Sequence, residues 1–415
     1  MTVHGGRVAV VGGSIAGCAA ALAAARAGAD EVVVYERTPG GLQDRGVGLA
    51  VRDERYRELE AAGYVDAAMP WVRLTTRTWL TRDGGDRAGR RLGELPFPFR
   101  SYNWGSLWRE LRARVPASVD YRQGATVEQV VPEPDGVGLR LADGREERFD
   151  LVVGADGYRS AVRAATRAAT VPVYAGYLAW RGTVPADALP GPRTAWAEDE
   201  AATVTFPGGH MIAYRIPGAH GVGTFANWVF YTAPPPSAAP ALREATSLPP
   251  GTVTDELMAH HAAVVERHFP PYWQEFVRLT PRERTFVQPL YDLAVPHYGE
   301  GRLVLAGDAA AVTRPHTGSG AVKALQDATV LERALRSATS WDEAVRAYDA
   351  ERSAAGLAVV ELARRLGRAQ VEATPDWAAM DQGALEQWWR EAADGERVFG
   401  GQELKWPGRG VREDR

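Results

Sequence analysis

The chain has 415 residues, 45% of them apolar and 24% charged, with a formal net charge of −4 at neutral pH. That length accommodates two domains and a sizeable core, and that composition excludes wholesale disorder. No long basic run supports binding to nucleic acid or an anionic membrane, and the single cysteine, Cys18, excludes an internal disulfide framework and a multi-cysteine metal site.

The first residues, MTVHGGRVAVVGG, run into an apolar stretch without the pattern of a signal peptide. The Ala-rich run 18–29 is interrupted by Arg26 and Gly28 and is too short to span a bilayer, so a cytoplasmic location is expected. Residues 7–37, RVAVVGGSIAGCAAALAAARAGADEVVVYER, read as strand, Gly-rich turn, helix and strand, with Cys18 as a small buried side chain of the helix. The turn Gly12-Gly13-Ser14-Ile15-Ala16-Gly17 keeps two of the three glycines of G-x-G-x-x-G, with Ser14 at the middle position. Gly12 permits the tight turn and Gly17 allows close packing. The helix start at Ile15 and Ala16 offers unpaired N–H groups to a pyrophosphate. Glu36, nineteen residues beyond Gly17 and followed by Arg37, suits a ribose diol. The unit predicts dinucleotide binding without separating FAD from NAD. Arg45, in DRGVGL, is placed to meet a cofactor or NAD(P)H phosphate.

Further along, YNWGSLWREL starts a helix at Trp104, and FDLVVGADGYRSAVR is a second buried strand that ends at Asp156-Gly157, ahead of Ser160 and Arg163. After Asp156 the pattern becomes one of alternating strands. His210, Ile212, Tyr214 and Ile216 share one face of HMIAYRIP; in GVGTFANWVFYT, Phe225, Asn227, Val229 and Tyr231 oppose Thr224, Ala226, Trp228 and Phe230. Residues 233–250 form a Pro-rich loop, a helix is expected around 253–268, and FVQPLYDL returns the chain to LVLAGDAAAVTRPHTGSGAVKALQDA, with Gly307-Asp308 at a strand end. From Trp341 the apolar spacing is helical, and the segment after about 394 reads as a polar, mobile tail. Most of the thirteen Trp are expected in cores, and the eight His lack ligand spacing, with His260 and His261 facing different directions on one helix, so no metal is expected.

Three motifs in this order (the Gly-rich turn, Asp156-Gly157 and Gly307-Asp308) resemble the single-component, group A FAD-dependent aromatic hydroxylases. The segments PVYAGYLAWRGTV, GGHMIAYRIPG and GDAAAVTRPHTGSGAVKALQDA resemble the 2,6-dihydroxypyridine 3-hydroxylase branch. Two positions depart from the wider family: Ala311 stands where a His usually follows Gly-Asp-Ala-Ala, and Val322, followed by Lys323, stands where an Asn is usual. The resemblance implies a Rossmann-like, p-hydroxybenzoate hydroxylase-like α/β FAD domain (1–165 and 285–345), an inserted antiparallel substrate sheet (166–284), and C-terminal helices and tail (346–415). It further implies reduction of FAD by NADPH or NADH, formation of a flavin hydroperoxide with O₂, and hydroxylation of a small aromatic or heteroaromatic ring such as a hydroxypyridine or phenol. Epoxidation, oxidative decarboxylation, reduction or simple flavin binding on the same scaffold are the alternatives, and a homo-oligomer is left open.

On this resemblance Asp156 ties cofactor contacts together, Asp308 accepts from a ribityl hydroxyl, and Gly318, Gly320 and Ala321 open a helix aimed at the flavin or pyrophosphate. Trp104 begins a helix beside the flavin and Pro315 matches the proline at its ring. His316 is the first candidate to contact and deprotonate the substrate hydroxyl, against a structural His bonded to backbone; His210 and Tyr214 follow from the sheet. Tyr177, Trp180, Arg181 and Trp228 are expected to contact substrate, Trp180 as a pocket wall and Arg181 as an anion or carbonyl anchor, with a structural salt bridge as the alternative for Arg181.

Overall fold

The computed structural model describes residues 5–42, 48–167, 170–191, 196–218, 221–243, 248 and 251–393. Arg45 and the tail beyond residue 393 lie outside the described residues. The N-terminal unit is β1 (Arg7–Val11), α1 (Ile15–Arg26) and β2 (Glu31–Glu36). Nearly all of α1 is buried, because its alanines let the helix axis lie close to the sheet beneath. The chain then departs through β3 (Gly48–Arg52), α2 (Asp53–Ala61), β4 (Val72–Thr81) and β5 (Arg90–Asn103). It returns by α3 (Trp104–Arg114), capped at its start by the Asn103 side chain, to β6 (Asp120–Gln123) beside β2. A small meander of β7 (Val127–Glu133), β8 (Gly136–Leu141) and β9 (Glu146–Phe149) precedes β10 (Leu151–Gly154), which pairs in parallel with β1, and the short α4 (Ala161–Ala164).

The next region is β11 (Val173–Pro185), β12 (Glu200–Phe206), β13 (Gly209–Pro217) and β14 (Thr224–Thr232), then α5 (Ala239–Leu242), α6 (Asp255–His268) and α7 (Pro271–Arg278). β15 (Phe286–Ala294) leads to β16 (Gly299–Glu300), β17 (Leu303–Leu305) and β18 (Ala311–Val312). Helices α8 (Gly320–Ser337) and α9 (Trp341–Gly367), a π-helical turn at Arg368–Glu372, and α10 (Gln382–Ala392) complete the described chain.

Two large sheets result. The first has the order β16-β17-β10-β1-β2-β6, parallel except for β16, with β2 on one side of β1 and β10 on the other. That reversal of order opens a crevice at the C-terminal end of β1, where α/β sheets bind ligands. The second has the order β18-β15-β11-β14-β13-β12-β4-β5-β3 and is antiparallel apart from the β12–β4 pair.

Sheet membership therefore differs from the expected segment boundaries. β3, β4 and β5, expected within 1–165, and β15 and β18, expected within 285–345, all join the second sheet. Alternation identifies a strand but says nothing about which sheet receives it. The C-terminal helices, expected over 346–415, pack on the second sheet: the core beneath α10 unites its Leu385 and Trp389 with Trp79 of β4 and Tyr214 of β13.

The second sheet has two unlike faces. On one, Trp180, Met211, Trp228 and Phe230 pack against α6 and α7 around Val265, Phe269 and Trp273. The other faces the first sheet and the end of α9. No helix among the described residues is long and apolar enough to cross a membrane.

Candidate active site

A cavity of about 590 Å³ runs from the crevice of the first sheet to the second sheet's inner face. At the crevice end the Gly-rich turn lies against β10. Gly12 has φ +103°, and a Cβ there would sit 2.3 Å from the Ala155 carbonyl oxygen, so only glycine keeps this close approach. Gly17 lies behind the turn, where a Cβ would stand 1.8 Å from the Gly12 carbonyl oxygen. Its role is packing, and it does not line the cavity. Ser14 caps α1 without a side-chain hydrogen bond, leaving the first helical N–H groups, at Ile15 and Ala16, directed at the cavity they line.

The Glu36 carboxylate accepts from the Gly13 and Thr38 backbone N–H groups, each at 2.8 Å, which pins it at the cavity wall. Arg37, beside it, also lines the wall. The Gly13 carbonyl accepts from Trp108 Nε1 (2.9 Å), Tyr121 Oη (2.7 Å) and Cys18 Sγ (3.3 Å). Three side chains from α3, β6 and α1 thus hold the turn rigid, and burial pushes the Cys18 thiol up to about 12, which keeps it an inert thiol.

Asp156 lines the cavity and also caps α4, accepting from the Ala161 N–H at 2.6 Å, the Val162 N–H at 3.3 Å and the Ser160 hydroxyl. Burial pushes its carboxyl above the ordinary range, against those donors. Arg163 gives its guanidinium to three carbonyls, those of Thr170 (2.9 Å), Ala309 (3.0 Å) and Tyr158 (2.6 Å), so it ties this motif to the Gly307-Asp308 turn.

That turn rests on a buried ionic network. The Gly307 N–H donates to Asp327 Oδ2 at 2.8 Å, and Lys323 Nζ donates to the Gly307 carbonyl at 2.7 Å while lying 3.6 Å from Asp327 Oδ2. Arg352 Nε completes it, 2.7 Å from Asp327 Oδ1. Gly307 has φ +60°, and a Cβ there would meet the Ala16 Cβ at 2.7 Å, so this turn and the N-terminal turn are in direct contact. Asp308 is open to the cavity and ringed by protein elsewhere. The surrounding protein pushes its carboxyl upward and Asp327 adds to this, while Lys323 opposes it.

At the other end, Pro315, His316 and Thr317 form a single helical turn closed by Gly318 at φ +63°, and Ser319 leads into α8. His316 Nε2 lies 2.7 Å from Tyr177 Oη, whereas Nδ1 has no partner and the ring lines the cavity. Burial, then the neighbouring His210, Arg314 and Arg77, hold the imidazole well below its ordinary value, so it is neutral. His210, with Nδ1 3.3 Å from the Gln370 carbonyl, is pushed by burial to about 3. Ile212, Tyr214, Val229 and Tyr231 line the inner sheet face beside it, and Phe97 and Phe99, stacked at 4.1 Å, form the wall from β5.

Most sequence-predicted positions line this one cavity: Gly12, Ser14, Ile15, Ala16, Glu36, Arg37, Trp104, Asp156, Asp308, Pro315, Gly318, Gly320 and Ala321, with His210, Tyr214, Arg181 and His316 at the sheet end. Three substrate-contact expectations are corrected. Trp180 and Trp228 lie on the opposite sheet face, fully buried against α6 and α7, because the strand period of two sends the neighbours of Arg181 and Val229 outward. Tyr177 stands behind His316 and reaches the cavity only through it.

Sequence reasoning missed the Lys323–Asp327 pair, although its i,i+4 spacing on a helix was visible, and the Trp108 and Tyr121 clamps, which carry no local signal. It also missed Arg77, 3% exposed, on β4. Arg77 Nε donates to Thr203 Oγ1 (2.8 Å) and Nη2 to Gln370 Oε1 (3.2 Å), with the guanidinium 4.1 Å from the Trp79 ring centre and 5.2 Å from that of Trp389.

The glycine cradle, the pinned acid and two helix N-termini around one elongated cavity fit an extended dinucleotide and define a dinucleotide-binding protein. A family model described as FAD binding domain-like matches residues 174–292, and one described as FAD binding domain matches residues 280–363. The chain is 29% identical over 338 residues to 2,6-dihydroxypyridine 3-monooxygenase of Paenarthrobacter nicotinovorans, covering 78% of this chain and 81% of that one. It is 33% identical over 375 residues to 3-amino-4-hydroxybenzoate 2-monooxygenase of Streptomyces cremeus, covering 87% and 86%. The solved structure of 2,6-dihydroxypyridine-3-hydroxylase from Arthrobacter nicotinovorans superposes with a TM-score of 0.79 at 26% identity, covering 97% of this chain and 98% of that one. The fold is also that of Klebsiella pneumoniae HpxO complexed with FAD and uric acid, at a TM-score of 0.72, 22% identity and coverage of 94% and 92%. The chain belongs to the FAD-dependent aromatic monooxygenase family and is an enzyme of that type, with FAD as its cofactor.

Proposed function

We propose that the protein uses NAD(P)H and O₂ to hydroxylate an electron-rich aromatic ring of the hydroxypyridine or phenol class, held against the second sheet. One observation carries this reading. A single cavity joins the nucleotide cradle to an aromatic-walled chamber, in which His316 offers an unpartnered ring nitrogen.

Gly12 to Ala16 and Glu36 would hold the adenosine diphosphate part of FAD, and Asp308, Pro315 and the start of α8 the flavin part. FAD, when bound, supplies the redox chemistry: hydride acceptance from NAD(P)H and activation of O₂ for transfer of one oxygen atom to the ring. The chain's own residues orient the ring and exclude water. Phe97, Phe99, Ile212 and Val229 provide apolar walls, which disfavour unproductive loss of reducing equivalents to peroxide. His316 holds the ring hydroxyl. If Tyr177 donates to Nε2, Nδ1–H donates to the ring oxygen and favours the phenolate; in the other tautomer, Nδ1 accepts a hydrogen bond from the phenol hydroxyl. Either way the hydroxyl is polarised where the ring must become nucleophilic.

The test is turnover of the FAD-loaded protein with hydroxypyridines and phenols under ¹⁸O₂. Ligand-stimulated NAD(P)H oxidation with one ¹⁸O atom in the organic product is expected. Products without label from the gas would remove the reading.

A further inference from the structure

The inner sheet face holds an arginine that the mechanism above does not use. Arg77 is buried on β4 and held from four directions: Thr203 of β12, Gln370 of the π-helical turn, and the rings of Trp79 and Trp389. Both hydrogen-bond partners are neutral, and they occupy two of its five N–H groups, leaving Nη1 and half of Nη2 for the cavity that Arg77 lines.

The other buried arginines find acids or backbone carbonyls: Arg352 pairs with Asp327 and Arg52 with Glu54, while Arg163 and Arg215 give their guanidinium groups to carbonyl oxygens. Among the described residues Arg77 is paired with no acid. The acids lining the cavity are Glu36, Asp156 and Asp308, all on nucleotide-binding segments at the other end. A second cation, Arg181 of β11, lines the same chamber with a buried Nε that has no partner. Arg77 and Arg181 both act electrostatically on the Tyr231 phenol, so the two guanidinium groups converge on one region of the sheet. A buried cation without a counter-ion is costly, and the cost is relieved when an anion enters.

We propose that Arg77, supported by Arg181, is the anion subsite of the substrate chamber, and that the substrate is a hydroxylated or amino-substituted aromatic carboxylate. The guanidinium fork matches the two oxygens of a carboxylate, whereas the single free nitrogen of His316 suits one ring hydroxyl. The chamber therefore carries separate partners for two different groups on one ring. The π-helical turn makes this arrangement, since it brings the Gln370 side chain to Arg77 and the Gln370 carbonyl to His210. The inference rests on the hydroxylase reading for its reaction but not for its binding chemistry.

Matched ligands test it: 2,6-dihydroxypyridine against its 4-carboxylate, and 2-aminophenol against 3-amino-4-hydroxybenzoate, titrated into the FAD-loaded protein and followed by the change in flavin absorbance. Each acid is expected to bind roughly tenfold or more tightly than its neutral parent, the scale of one charge-assisted contact. Arg77→Met should abolish that preference while melting no lower than the parent, and Arg77→Lys should restore part of it. Should Arg77→Met fail to fold, Arg181→Met in the same titration must still reduce the preference. Equal or tighter binding of the neutral rings, no perturbation by either acid, or a preference that survives both Met variants overturns the subsite. Product analysis separates the two readings: acid preference without oxygenated product leaves the subsite standing and removes the hydroxylase, and oxygenated product without acid preference does the reverse.

Discussion

Replacing Lys323 by Met removes one cation from beneath the Gly307-Asp308 turn while roughly conserving volume. Lys323 is 1% exposed, and it contributes a charge-assisted bond to the Gly307 carbonyl at 2.7 Å and a contact to Asp327 at 3.6 Å. The Gly307 carbonyl keeps a second donor, the Ala310 N–H at 3.1 Å, and Asp327 keeps both Arg352 and the Gly307 N–H. The loss is then about one charged hydrogen bond plus a partly compensated ion pair, about 2–4 kcal/mol. Asp327→Ala strands two buried cations instead, and should cost more, about 3–5 kcal/mol. Both changes loosen the turn that presents Asp308, so FAD affinity should fall in the same order. Urea unfolding of the FAD-free protein and a fluorescence titration with FAD measure the two quantities. Parent-like stability and FAD affinity in Lys323→Met, or a milder effect from Asp327→Ala, would refute the view that this network holds the turn.

Gly12→Ala should give protein that purifies without bound flavin, read from the ratio of flavin to protein absorbance, because its Cβ would lie 2.3 Å from the Ala155 carbonyl oxygen. Tyr177→Phe takes the hydroxyl from His316 Nε2, costs about 1–2 kcal/mol, and should slow turnover while leaving FAD affinity unchanged; His316→Ala should slow it further, also with little effect on FAD binding. Acid should destabilise the fold in a defined window. His210 and His261 are pushed from 6.5 to about 3 and about 4 by burial, so they stay neutral when folded but bind protons in the unfolded chain. Each therefore withdraws about 2–3 kcal/mol between about pH 6.5 and 4.5. Asp156 and Asp308, pushed upward, act with the opposite sign as pH falls. His261→Phe, placed among Trp180, Trp228 and Phe230, should flatten the urea–pH curve, and a curve parallel to the parent's would count against this account.

The sequence by itself determined the nucleotide-binding half in some detail. The strand–turn–helix order, the glycines at Gly12 and Gly17 and the acid at Glu36 are local features, each legible because backbone conformation and helix termini depend on near neighbours. Period-two alternation likewise separated the His210 face from the Met211 face, and correctly applied it already placed Trp228 opposite Tyr231. Only the tertiary structure decided which sheet each strand joined, that the C-terminal helices close the substrate side, and which residues support the site from behind. Arg77 meets Gln370 across 293 positions and Trp108 meets Gly13 across 95, and no local pattern encodes such pairs. Burial settled the charge states as well: His316 is neutral and Arg77 lacks a counter-ion because of what surrounds them, and a side chain's surroundings exist only once the chain has folded.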